Sequence, residues 1–341
     1  MHDSGHRILS HPDYLLSSID ADRCRFAVVS EQTYRQSAFL DHRMQPMPKR
    51  AVSMATSAVL KPTAGGNANA AELIIAHSSF CASTLLARTL DADDVLVLRE
   101  PQLLGQLANL RRTASGRESL YSRLFPAGIN QLCKRYQPEQ KLVLKLSNYA
   151  NNLLPDMMQM MPDTRLLLLL GSLDDLLVSM HNHAAEAELT LPKFLHAMLL
   201  DQSALSLSPQ ALARLDLFQQ TALLWHLQLQ HFQRLLQRYP DRTRLLLTTQ
   251  FMADPVTTVA QLDAWIGARR DDPQRSNAVA AMLDIDAKAR GGAATPARTR
   301  SRDQARQSLR AEIKAARDWA SAQGLWTDPS GLQNVQYLCR R

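Results

Sequence analysis

The chain has 341 residues, 45% hydrophobic and 21% charged, the balance of a soluble globular protein long enough to bury a sizeable core. Lysine and arginine number 39 against 32 aspartates and glutamates, a formal net charge of +7. The whole excess lies in residues 288–317, where nine bases meet two acids. The rest of the chain is neutral, which excludes a nucleic-acid binder coated in positive charge and favours a local anion site or a solvated basic face. The four cysteines, Cys24, Cys81, Cys133 and Cys339, form no CxxC pair, so neither a disulfide framework nor a zinc motif is legible. No apolar signal region opens the sequence, and the leucine run Leu166–Leu170 is far short of the roughly 20 residues of a membrane span. A cytoplasmic protein without a membrane span is expected.

In chain order, residues 1–50 are mixed, with a short strand-like run, FAVV, at 26–29. The stretch 61–72, small and rich in Gly and Ala, reads as a loop. Five short apolar runs follow: ELIIAH (72–77), VLVLRE (95–100), KLVLKLS (141–147), RLLLLLG (165–171) and RLLLTTQ (244–250). Helical stretches separate them, the longest over about 173–238. From 303 to 321 a further helical pattern places Leu309, Ile313, Ala316 and Trp319–Ala320 on one face. Strands buried on both faces read as continuous apolar runs, so the pattern predicts an α/β fold with a mostly parallel sheet of about five strands flanked by helices in three layers. An all-helical protein competes, because leucine favours helices, but runs this short and bounded by breakers are too brief for them.

Ligands of open α/β sheets bind at the carboxyl ends of strands. The first strand–loop–helix unit (73–90) is therefore the candidate anion site. Its loop residues Ser78, Ser79, Cys81, Ala82, Ser83 and Thr84 offer backbone amides at a helix start and hydroxyls beside them. Against the nucleotide-loop pattern GxxxxGK[ST], Ala82 replaces the second Gly, Ser83 the Lys, and Thr84 keeps the hydroxyl. Without that Lys an ordinary ATPase or kinase is disfavoured. Plain helix capping by Ser83 and Thr84 explains the same residues.

These residues, taken with their neighbours, resemble a bacterial sulfotransferase-like family of the P-loop fold. The segment SFCASTLL (79–86) lies in the frame of that family's phosphosulfate loop, PxSGTTxL. Glu100-Pro101 matches an acidic-Pro pair after the second strand, and the 165–180 segment places Ser179 at a serine that meets a 3′-phosphate. A Trp-bearing helix, a strand and Asp-Pro follow in order over 223–267, and the basic stretch from Lys288 corresponds to a loop that closes over the nucleotide. The resemblance implies a P-loop domain over 71–325, with an N-terminal extension at 1–70 and a tail at 326–341. It also implies 3′-phosphoadenosine 5′-phosphosulfate as sulfuryl donor, no metal, and an acceptor hydroxyl or amine of unknown identity.

In that frame Ser78, Ser79, Cys81, Ala82, Ser83 and Thr84 hold the 5′-phosphate, and Ser179 the 3′-phosphate. Lys288, Arg298 and Arg300 cover the cofactor. Glu100 is the first choice of base, His77 the second, and Lys145 a compensating cation. Three positions depart from the family: Phe80 replaces a cation, Ala82 a glycine, and Gly171 the arginine of the 3′-phosphate site. A P-loop protein that binds a nucleotide or a protein partner without sulfuryl transfer is the alternative. The basic segment also leaves room for an acidic partner, whereas scarce aromatic residues argue against single-stranded nucleic acid. Other features read as structural. Glu100 alone suggests an ion pair with Arg99 or a helix cap, and His181 and His183 are two apart on a helix, too far around it to share a metal. Asp174-Asp175 after Ser172 suits a helix start.

Overall fold

The computed structural model describes residues 2–61, 70–114, 119–202, 208–268, 273–283, 304–333 and 335–339. The chain divides into two compact units. The first comprises Met1–Ala76, Thr84–Leu166 and Val259–Val279, and the second His77–Ser83, Leu167–Thr258 and Ala280–Arg341.

The first unit begins with an antiparallel sheet of β1 (Tyr14–Ile19), β2 (Arg23–Val28) and β3 (Ala51–Ala55), in that order. In β2, charged and apolar residues alternate: Arg23 and Arg25 are exposed, Cys24 and Phe26 buried. That is the pattern of a sheet with one face covered. Sequence reading caught only its end, placing a strand at 26–29 where β2 ends at Val28. The sheet packs through β1 on the helices Gln102–Thr113 and Leu120–Leu132. Gln106 fixes the contact, accepting from the Ile19 amide at 3.0 Å and donating to the Ile19 carbonyl at 2.6 Å.

The five apolar runs are strands: β4 (Leu73–His77), β5 (Val95–Arg99), β6 (Lys141–Lys145), β7 (Arg165–Leu170) and β8 (Thr243–Leu247). They form one parallel sheet in the order β5-β6-β4-β7-β8, flanked by helices, and the α/β expectation holds over its all-helical competitor. In β4 and β5 every residue is buried, which only a sheet covered on both faces allows. The last run is shorter than expected: 248–250 open the helix Thr248–Ala253 instead of extending β8. The Gln250 side chain accepts from the Leu247 amide at 3.0 Å and turns the backbone there.

From β4 the chain crosses past β6 to β5, returns to β6, and then continues on β4's other side at β7. The direction of winding therefore reverses at β4, and the loop leaving it stands at the topological switch point where open α/β sheets bind ligands. In the second unit the helix Leu217–Arg238 runs 22 residues behind an Asp216–Gln219 capping box and buries Leu224, Trp225, Leu229, Phe232 and Leu236. Each such side chain contributes about 1.5–3 kcal/mol on burial. The helix Arg310–Ala322 buries Ile313, Ala316 and Ala320 of the face expected from sequence, while Trp319, expected with them, is only half-buried. Among the described residues no helix is long and apolar enough to cross a membrane.

Candidate functional site

The chain leaves β4 at His77 and enters the helix Ser83–Leu90 after a loop of unusual backbone. Ser79, Phe80 and Ala82 have φ of 69°, 46° and 60°, in the left-handed region that side chains with a Cβ rarely occupy. Each costs on the order of 1–3 kcal/mol and persists only where its surroundings enforce it.

Those surroundings are visible within the second unit. The Ser78 amide donates to the Leu169 carbonyl at 3.1 Å, and the Ser78 hydroxyl accepts from the Gly171 amide at 2.9 Å. The Ser79 amide donates to His77 Nδ1 at 3.2 Å, and Thr248 Oγ1 donates to the Cys81 carbonyl at 3.0 Å. The Phe80 ring lies 5.6 Å from the His183 ring. Gly171 is the seat of the loop. A Cβ at 171 would stand 3.2 Å from Cys81 Cβ, and the Gly171 carbonyl accepts from Trp225 Nε1 at 2.9 Å. The glycine at 171 thus has a physical reason: the loop occupies the space a side chain there would need.

The clamped loop leaves other groups unused. Ser83 and Thr84 are 6% and 4% exposed, and among the described residues neither hydroxyl has a hydrogen-bond partner. Among the described residues the Ala82, Ser83 and Thr84 amides likewise make no turn or side-chain bond, as expected at the open start of a helix. Plain capping by Ser83 and Thr84 is therefore not observed. Several donors without protein acceptors, converging at a helix N-terminus where solvent reaches them, suit an anion.

Ser179 lies on the helix Leu173–Asn182, which Ser172 caps by accepting from the Asp175 amide at 3.1 Å, as the Asp174-Asp175 pattern predicts. The Ser179 hydroxyl donates to the Asp175 carbonyl at 2.7 Å, so its proton is committed to its own helix. Arg306 pairs with Asp175, and Arg317 Nε donates to Asp174 at 2.8 Å. Two of the nine bases of the basic stretch are thus tied to this helix. Lys288, Arg298 and Arg300 lie outside the described residues. His181 and His183 have separate environments, the first beside Phe218 at 6.0 Å between rings, the second bonded to the Ser179 carbonyl at 2.8 Å.

In the first unit the residue after β5 is Glu100, also at positive φ, 53°. The partner expected for it, Arg99, turns the other way, donating to Asp91 Oδ2 at 2.8 Å and to the carbonyls of Ser37 and Tyr34. Side chains on a strand alternate faces, and sequence neighbours are for that reason poor candidates for a pair. Glu100 instead receives Lys145 on Oε1 and Arg43 on Oε2, the latter at 2.8 Å. Arg43 also pairs with Asp41. Burial works against the Arg43 charge, but Asp41 and Glu100 outweigh it and raise its guanidinium above the ordinary value. The Phe39 ring lies under both cations, 3.7 Å from Arg43 and 5.8 Å from Lys145. Lys145 is therefore a partner of Glu100 and not a spare cation. Arg43 was missed in the sequence because 57 positions separate it from Glu100.

No family model matches the chain, and no curated protein matches it. Among solved structures it is similar to a sulfotransferase from Alicyclobacillus acidocaldarius, at 16% identity over 74% of this chain and 95% of the other, with a TM-score of 0.39. It is also similar to the sulfotransferase domain from the curacin biosynthetic pathway, at 12% identity over 66% of this chain and 84% of the other, TM-score 0.39.

Proposed function

We propose that the chain binds 3′-phosphoadenosine 5′-phosphosulfate through residues 78–84 and promotes transfer of its sulfuryl group to an acceptor hydroxyl or amine. One observation carries the reading: the hydroxyls of two nearly buried residues, Ser83 and Thr84, have no partner among the described residues and still reach solvent, at a helix start behind a strained, clamped loop. With the amides of 82–84 they fit a 5′-phosphate, a neutral donor set aided by the helix dipole. Ser179 offers only an acceptor oxygen, so recognition of a 3′-phosphate falls to cations, for which Lys288, Arg298 and Arg300 are the candidates. When bound, the nucleotide supplies a sulfuryl group on a phosphate leaving group.

The acceptor must lose a proton as its oxygen or nitrogen bonds to sulfur. Glu100 is the proposed base, held by Lys145 on one carboxylate oxygen and Arg43 on the other. His77, whose Nδ1 orders the loop through the Ser79 amide, is the second choice.

The same ion cluster, together with Phe80 and Gly171 at cationic positions, favours a second reading: a P-loop protein that binds a nucleotide or a protein partner without transfer. Thermal shifts with 3′-phosphoadenosine 5′-phosphate, ATP and GTP test the proposal. Stabilisation by the bisphosphate, lost in S83A/T84A, is the expected result. No shift with any of the three leaves the partner-binding reading. A shift unchanged in S83A/T84A moves the ligand away from the loop.

A further inference from the structure

The first unit carries a groove that takes no part in the proposed function. It is floored by the outer face of the N-terminal sheet and roofed by residues 40–50, with a volume of about 370 Å³. Three strands supply the floor. Ala27 on β2 pairs with Ala51 on β3, and Ser18 on β1 pairs with Arg25, just past an irregularity in register. Residues this small on an outer sheet face leave room that longer side chains would fill.

The charges around this space are unbalanced. Arg25, Lys49 and Arg50 line the groove, and none of them has an ion-pair partner among the described residues. Its one carboxylate, Asp41, is already engaged by Arg43, and His42 lies 3.9 Å from Asp41. Leu40 and Met44, both buried, add an apolar wall. Three uncompensated cations around a small apolar floor suit a compact ligand with one anionic group and one apolar part.

We propose that this groove binds a small organic anion, a phosphate, sulfate or carboxylate carried on an apolar ring or short chain. The cations grip its charged end, and Ala27, Leu40 and Met44 cover its apolar end. Asp41 belongs both to the groove and to the cluster that holds Glu100, so a ligand here adjoins that cluster through one side chain. The site does not depend on sulfuryl transfer.

Titration of the full chain with phenyl phosphate, inorganic phosphate and phenol tests the proposal by calorimetry. Phenyl phosphate should bind at least tenfold more tightly than either of the others, with affinity falling as salt rises. Arg25, Lys49 and Arg50 are exposed, so R25S/K49S/R50S keeps the fold, and it should lose at least tenfold in affinity. S83A/T84A should bind phenyl phosphate like the parent chain. Equal binding of phenol, an unaltered affinity in the triple variant, or no heat at millimolar phenyl phosphate overturns the proposal. Loss of binding in S83A/T84A overturns it too, because the anion then occupies the loop. Binding of 3′-phosphoadenosine 5′-phosphate is a separate measurement, so either proposal can fail alone.

Discussion

The chain ends β4 and β5 in opposite ways, although both ends use left-handed backbone. After β4 the strained residues Ser79, Phe80 and Ala82 lead to hydroxyls and amides without partners. After β5 the strained residue is Glu100, and its carboxylate is closed off by Lys145 and Arg43. On the proposed function, strain at the first end presents donors to a ligand. Strain at the second aims a carboxylate at two cations, Lys145 and Arg43. The first should matter for binding and little for stability; the second should matter for stability first.

Lys145 gives the largest expected effect. It is 1% exposed, and Lys145→Met leaves half of the Glu100 carboxylate buried without its cation. Breaking a buried pair from one side costs about 3–5 kcal/mol, and urea denaturation should show a loss of that order. The double change K145M/E100Q should recover most of it, because the stranded charge is gone. S83A/T84A removes hydroxyls that bond nothing, so its midpoint should stay within about 0.5 kcal/mol of the parent chain. A K145M midpoint equal to that of S83A/T84A would erase the contrast between the two strand ends.

A pH series sharpens it next, because a buried imidazole in the second unit titrates on its own. His226 is held down to about 4 by burial, and its Nδ1 accepts from the Trp326 amide at 2.9 Å. The unfolded chain protonates its histidine near 6.5 and therefore binds more protons between pH 6.5 and 4. The contribution of His226 is full above pH 6.5 and is lost as pH falls towards 4. In His226→Gln the stability should change less steeply over that window, measured by urea unfolding at pH 7, 5.5 and 4.5. An unchanged slope assigns the acid sensitivity to other groups. Lys134 in the first unit, lowered to about 7 by burial, follows the same sign at higher pH: stability rises between 7 and 10.5.

Much of this was legible in the sequence, for physical reasons that also mark where legibility stopped. Leu73–His77 and Val95–Arg99 read as strands because burial on both faces forces an unbroken apolar run. Ser83 and Thr84 read as anion-site candidates because hydroxyls between a strand and a helix suit a phosphate, a position that helix capping also explains. The N-terminal sheet was hidden. Its strands are half-covered, β1 is irregular between Leu16 and Ser18, and β3 contributes AVSMA, too small-sided to stand out. The Glu100 partners were hidden differently. Lys145 is named by its place at the end of β6, but its use on Glu100 needs the β5–β6 register, which pairs Arg99 with Lys145. Arg43 needs the fold of a loop that carries no motif. The groove is the furthest from sequence, because it depends on small residues from three strands meeting one face.

Gly171 offers the finest test. The sequence presents it as a lost arginine, while the structure presents it as the floor on which Cys81 rests. In the second view Gly171→Ala pushes its Cβ to 3.2 Å from Cys81 Cβ, closer than ordinary packing, and overpacking of this kind costs typically about 1–3 kcal/mol. The strained atom is the Cys81 Cβ and not its sulfur. Cys81→Ser should therefore give G171A no relief, whereas Cys81→Gly should recover part of the loss, a coupling of about 0.5 kcal/mol or more in a double-mutant cycle. Additive losses in G171A/C81G would mean the two residues do not press on each other. A G171A variant that keeps both its midpoint and its nucleotide shift would return Gly171 to being a missing cation and nothing else. If instead the shift falls along with stability, the glycine is what lets the loop reach its left-handed turns.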